Sequence, residues 1–166
     1  MATQENLMAA FAGESQANRR YLAFAKQAET EGYSGIAKLF RAVAEAETVH
    51  AHAHLRAAGG IKDTSSNLEA AIAGEHYEFT EMYPEFITAA EAEGNAAALQ
   101  SFSNANTVEQ EHHDLYQQAL EAIKAGHDIA DLKIFVCPVC GHTVIGVAPD
   151  TCPICHVPKD QFVEIV

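Results

Sequence analysis

Basic residues are scarce in this chain. Lys and Arg together number 10 against 23 Asp and Glu, which leaves a formal net charge of −13 over 166 residues. Binding to a polyanion draws on cationic side chains that displace its counterions, so nucleic acid and anionic membrane are excluded as expected partners. No apolar run approaches the roughly 18 residues that a membrane-spanning helix needs. The opening MATQENLMAAF has neither a basic start nor a long apolar core, so no signal peptide is expected. Cysteine is absent before position 137, and all four cysteines then fall in two Cys-x-x-Cys pairs. That distribution argues against a disulfide framework and for metal ligation in a reducing compartment.

What is present is alanine and helical periodicity. Hydrophobic residues make up 48% of the chain, a composition suited to closely packed helices. The length fits one helical bundle plus a small module. Four helical patterns precede the cysteines. The first, from about Thr3 to Glu31, has a stripe through Leu7, Phe11, Glu14, Tyr21 and Ala25. The second, which Ser34 is placed to cap, carries Ile36, Leu39, Phe40, Val43, Glu47, His50 and His54. The third opens on an expected capping box, Ser66 with Glu69, and shows Leu68, Ile72, Glu75, Glu78, Phe79, Met82 and Phe86. Pro84 inside it predicts a kink or local break. The fourth shows Leu99, Phe102, Ala105, Glu109, His112, Tyr116 and Ile123.

Acids sit on these apolar stripes, and they recur. Glu47 and His50 reappear 62 residues later as Glu109 and His112, and Tyr21 reappears as Tyr83; the AGE of 12–14 returns at 73–75 with a slip of one residue. The pattern reads as a duplicated helical hairpin. A Glu and a His three apart share one helix face. Two such pairs, with Glu from two partner helices, are the ligand set of a carboxylate-bridged dinuclear site in a four-helix bundle. Carboxylates with imidazole favour iron or manganese over softer metals. Buried carboxylates are costly unless cations offset them. Two ferrous ions against Glu14, Glu47, Glu75, Glu78 and Glu109 leave about one formal negative charge, which a polar surround can hold. Each tyrosine is read either as packing or as a hydrogen-bond partner of the site. His52 is expected on the surface. His54 is on the stripe, and His113 competes with His112, which is favoured because it repeats His50.

After Ala125 the texture changes. Residues 125–133 read as a linker closing a helical domain of residues 1–133, and residues 134–166 read as a separate small domain. Here short β-like pieces (IFV, TVIGV, FVEIV) flank Cys137-Pro-Val-Cys140 and Cys152-Pro-Ile-Cys155, eleven residues apart. A core this small needs a staple, and a metal on four thiolates provides one. Spacing alone does not distinguish iron from zinc.

Together, FAGESQA (11–17), EAETVH (45–50), AGEHYEFTEMYP (73–84), VEQEH (108–112), CPVCG and CPICHVPK resemble the rubrerythrin family over almost the whole chain. The resemblance implies a mainly α fold: a ferritin-like four-helix bundle with a small C-terminal rubredoxin-like module. It implies two irons on Glu14, Glu47, His50, Glu75, Glu78, Glu109 and His112, and a third on Cys137, Cys140, Cys152 and Cys155. Glu78 and His50 match the pair that the family exchanges on one iron, and Tyr21 and Tyr83 match its tyrosines beside the site. It further implies a cytoplasmic peroxidase that reduces hydrogen peroxide to water in oxidative-stress defence. Electrons would come from a nicotinamide cofactor through an external donor, rubredoxin or its reductase, and a head-to-tail homodimer would let one subunit's thiolate iron serve the other's di-iron site.

Three positions depart from the family pattern. His156 stands where glycine is common after the last cysteine, His142 where an aromatic is common, and Phe79 where a tyrosine is familiar. None removes a ligand. The rival readings are a ferroxidase or iron-storage protein, reduction of dioxygen by the same centre, and a scaffold with a zinc ribbon.

Overall fold

The computed structural model describes residues 2–129 and 133–166. Its chain divides into two compact units, Met1–Lys62 and Asp63–Val166. The first unit is a helical hairpin, α1 (Ala2–Thr30) and α2 (Ser34–Ala57). Its seam is alanine: Ala17, Ala25 and Ala28 from α1 meet Ala37, Ala44 and Ala51 from α2, all buried. Ala37, Ala44 and Ala51 are seven apart, so they stack on one helix face, and side chains this small let two backbones approach closely.

Asn18 ties the seam. It is buried, and its Nδ2 donates to the Ala44 carbonyl at 2.7 Å and to Thr48 Oγ1 at 2.8 Å. The helical pattern of the sequence does not single it out. Asn18→Ala leaves the helices intact but removes both cross-helix bonds. A loss of about 1–3 kcal/mol is expected, to be measured by urea denaturation of the metal-free protein.

The second unit begins with α3 (Thr64–Tyr77), continues through a π-helical turn (Glu78–Met82) into α4 (Tyr83–Glu93), and returns along α5 (Ala96–Lys124). The expected capping box is not the one that forms. Asp63 is the cap, and its carboxylate accepts from the Ser66 N–H at 3.0 Å and the Ser66 hydroxyl at 2.8 Å. Nor does Ser34 cap α2; Tyr33 precedes that helix and makes no side-chain cap.

The break expected at Pro84 falls just upstream of it. Proline has no N–H to return to the carbonyl four residues back. The chain widens instead, and the Tyr83 N–H bonds the Glu78 carbonyl five residues back. Pro84 then occupies the first turn of α4, where its missing donor costs nothing. Gly94 ends α4 in the left-handed conformation (φ 66°), and the Asn95 side chain caps α5 through the Ala98 N–H at 3.1 Å.

The C-terminal module is a small antiparallel sheet in the order β2-β1-β3, from Thr143–Ile145, Ile134–Val136 and Val163–Ile165. Phe135 pairs with Val144 on one side and Glu164 on the other. The three β-like pieces of the sequence are these strands. Of the expected linker 125–133, residues 130–132 lie outside the described residues. No helix among the described residues is long and apolar enough to cross a membrane.

Candidate functional site

Each unit carries one carboxylate–imidazole triad. In the first, Glu14 of α1 meets Glu47 and His50 of α2, with donor atoms within 4.8 Å of one another. His50 Nδ1 is 2.9 Å from Glu47 Oε2 and 4.0 Å from Glu14 Oε1. In the second, Glu75 of α3 meets Glu109 and His112 of α5 within the same 4.8 Å, and His112 Nδ1 is 2.8 Å from Glu109 Oε2. Neighbouring donors on one ion with bonds of about 2.1 Å lie about 3 Å apart, so both triads have spacings that a hard, borderline metal accepts.

Glu78 stands outside the close triad, on the π-helical turn. It still senses the site: burial, then the Glu109 charge, raise its pKa. Burial first, and then Glu109, push Glu75 up to about 7. Tyr83 is raised by burial and by Glu109, Glu78 and Glu75, so its phenol holds its proton beside the carboxylates. His112 is raised chiefly by its bond to Glu109. Tyr21 instead packs between Phe24 and Phe40, with centroids at 6.3 and 6.2 Å. His113 instead meets Asp114 and Gln117, and His112 is the histidine grouped with Glu75 and Glu109 as a candidate ligand. His52 is exposed and His54 half-buried, both outside the triad.

The crowding of acids sets a pH dependence. Glu75 takes up its proton near 7 when folded, against 4.5 for an ordinary glutamate. The folded state therefore binds more protons than the unfolded chain across that window, and stability falls as pH rises through it. The melting temperature of metal-free protein should decline from pH 4.5 to 7, and Glu75→Gln should flatten the decline.

In the module, Cys137 and Cys152 are buried, and Cys140 and Cys155 half-buried. Cys137 Sγ is 3.5 Å from Cys155 Sγ, as is Cys140 Sγ from Cys152 Sγ. A disulfide needs about 2.05 Å. A tetrahedral ion with bonds of about 2.3 Å needs sulfur–sulfur edges of about 3.8 Å. The four thiols thus fit a tetrahedral metal. Burial raises the Cys152 thiol, but the Cys155 and Ile154 N–H groups together with the Cys140 and Cys155 thiols outweigh it and bring the pKa to about 7. Burial pushes Cys140 well up.

With this geometry, the comparisons decide the family. The rubrerythrin family model matches residues 5–120, and the rubrerythrin rubredoxin-like domain model matches residues 135–163. The chain belongs to the rubrerythrin family. Rubrerythrin-2 of Clostridium acetobutylicum is 35% identical over 96% of this chain and 95% of its own length. Nigerythrin of Nitratidesulfovibrio vulgaris is 39% identical over 97% of this chain and 85% of its own. A solved structure of nigerythrin in a partially reduced state matches with a TM-score of 0.59 and 37% identity, covering 98% of this chain and 86% of that one. Membership identifies a mainly helical, ferritin-like oxidoreductase with a rubredoxin-like four-cysteine module, and the triads are candidate di-iron ligands.

The three departures from the family pattern have distinct consequences. His156 adopts φ 64°, the one non-glycine residue at positive φ among the described residues. A side chain there costs about 1–2 kcal/mol, so His156→Gly should raise the module's melting temperature with the thiolate-metal absorption unchanged. Phe79 stacks edge-on against His76 and His113. His142 is buried, packs its ring edge-on against Phe162, and places Nδ1 2.6 Å from Glu111 Oε2 on α5. Sequence reasoning missed Glu111: it sits between two candidate metal-ligand positions, and nothing in the helical pattern marks it.

Proposed function

We propose that this rubrerythrin reduces hydrogen peroxide to water. Glu14, Glu47, His50, Glu75, Glu78, Glu109 and His112 supply the ligands of a di-iron centre, and Cys137, Cys140, Cys152 and Cys155 hold the iron that returns electrons to it. The balance is H2O2 with two electrons and two protons giving two waters. When bound, two adjacent ferrous ions supply one electron each, so that O–O cleavage releases no hydroxyl radical. The residues around them handle the protons. Tyr83 stays protonated as a hydrogen-bond donor.

One observation carries this reading. The cysteine module sits on α5, the helix of Glu109 and His112, and Thr143 Oγ1 of β2 lies 3.1 Å from His112 Nε2. A closed one-electron site thus adjoins an oxygen-and-nitrogen triad, an arrangement that metal storage or a zinc scaffold does not need. The reading extends to a cytoplasmic homodimer fed by a nicotinamide cofactor through rubredoxin or its reductase. The test is anaerobic mixing of fully reduced protein with one equivalent of peroxide. Prompt di-iron(III) absorption followed by the thiolate-iron(III) bands is expected. Inertness to peroxide, with slow oxidation and iron uptake under dioxygen, would favour ferroxidase chemistry instead.

A further inference from the structure

Charge is divided unevenly along this chain. Residues 1–62 carry seven of the 10 Lys and Arg and six of the 23 Asp and Glu; residues 63–166 carry three and 17. The first unit is therefore slightly positive in a protein of formal charge −13, and two of its acids, Glu14 and Glu47, belong to the candidate metal triad. The cations also differ in their partners. In the second unit each pairs with a carboxylate: Lys124 with Glu69 at 3.9 Å, Lys133 with Glu164 at 2.9 Å and Lys159 with Asp150 at 3.7 Å. In the first, Arg41 pairs with Glu29. Arg19, Arg20, Lys26, Lys38 and Arg56 are exposed and have no hydrogen-bond or ion-pair partner among the described residues.

Two of those five come together. Arg19 and Lys26 of α1 line an open groove of about 460 Å³ with Arg41 of α2, over Leu22 and Ala25. Seven residues separate Arg19 from Lys26, so they share a helix face about 10 Å apart. Arg19 is five residues past Glu14, and Arg41 is six before Glu47. The groove thus lies within two turns of the first triad along both helices. A nucleic acid is matched by an unbroken run of cations, and Glu29 on the rim interrupts this one. Cations around an apolar floor suit a protein surface instead: carboxylates meet the guanidinium by paired hydrogen bonds while apolar contact covers Leu22.

We infer that the groove of Arg19, Lys26 and Arg41 captures an acidic electron-donor protein. The inference rests on the proposed peroxidase function with an external donor. Each peroxide consumes two electrons, so a one-electron donor must dock and leave twice per turnover. Rim charges suit such a partner, because they speed encounter and set its salt dependence more than they add affinity. A lasting contact between copies of this chain would call for a larger and more apolar surface. The groove fixes where the donor lands and leaves the electron route through the thiolate iron unchanged.

The test uses the full-length, iron-loaded protein, with reduced rubredoxin as donor probe and poly-L-glutamate and duplex DNA as competitors. With excess peroxide, the parent should oxidise rubredoxin at a second-order rate that falls as salt is added. Arg19→Glu combined with Lys26→Glu should lower that rate about tenfold or more at low salt and flatten its salt dependence. Single-turnover oxidation of the reduced protein by peroxide should not change. Arg19→Gln with Lys26→Gln should give an intermediate loss. Arg20→Glu with Arg56→Glu alters net charge equally outside the groove and should cost less than about threefold. Poly-L-glutamate should compete with rubredoxin, and DNA should not. Equal loss in both Glu pairs, an unchanged rate in the groove pair, or competition by DNA as strong as by polyglutamate would overturn the inference. So would a change in oligomeric state in the groove pair, which would make the groove a contact between copies. Binding of oxidised rubredoxin, measured without peroxide, separates the two readings. A parent that binds it through the groove but is inert to peroxide would sink the peroxidase reading alone, and a parent that binds neither rubredoxin nor polyglutamate would sink the docking site alone.

Discussion

Glu109→Gln should abolish peroxide reduction while making the metal-free protein more stable. Glu109 lies at the centre of the second triad. It bonds His112, and its charge raises the pKa of Glu75, Glu78 and Tyr83. The amide is nearly the same shape, so packing is kept. It is a poor ligand for a hard cation, and it no longer balances the charge of bound metal. Removal of a partner outside the ligand shell already costs about 10–100-fold in metal affinity or activity; loss of a ligand should cost more than about 100-fold. In the metal-free chain the same change relieves like-charge repulsion on Glu75 and Glu78. Glu75 should then titrate at a lower pH, and the decline in melting temperature from pH 4.5 to 7 should shrink. Iron content, turnover with peroxide and the pH profile of melting check the three parts. A variant that keeps full iron and turnover would remove Glu109 from the site. A variant less stable at pH 7 would show that the carboxylate serves packing rather than ligation.

That opposition between stability and ligation is also why the triads are legible in the sequence. A glutamate on an apolar stripe has no structural excuse, and four such stripes with two repeated Glu-x-x-His pairs leave few alternatives to a metal. The cysteine pairs are legible for a related reason, since thiol spacing is dictated by the ion. The features that escape depend on choices the periodicity does not encode. Whether the Tyr83 N–H bonds four or five residues back is invisible to an apolar pattern; Pro84 marks the disturbance but not its π-helical form, which begins at Glu78. In KDTSS several residues can cap, and Asp63 rather than Ser66 takes the role because its carboxylate reaches both Ser66 donors. Asn18 and Glu111 look like ordinary polar positions until their partners, Ala44 and Thr48 for one and His142 for the other, are known from contacts distant in sequence.

Cys152→Ala should unfold the C-terminal module and leave the helices standing. Residues 134–166 contain few buried apolar side chains: Cys137, Ala148 and Cys152 are the buried hydrophobic residues of the module among those described. Three short strands without a larger core are marginal on their own. The free energy that orders them must come from the metal, and structural four-ligand sites in small domains contribute roughly 10–16 kcal/mol. Cys152 is the most consequential thiol to remove. It is fully buried, its N–H bonds the Val157 carbonyl across the second knuckle, and its pKa of about 7 supplies thiolate at neutral pH, the form that captures metal. Without it, three thiols remain around a gap. The variant should lack the visible bands of thiolate iron and lose amide-exchange protection through β1–β3, while α1–α5 keep their far-ultraviolet signal. Reduced protein should still be oxidised once by peroxide, because the proposed di-iron ligands are untouched, but turnover with an external donor should collapse. Sustained turnover would mean that electrons reach Glu109 and His112 without the module, and the contact of Thr143 with His112 would then be only structural.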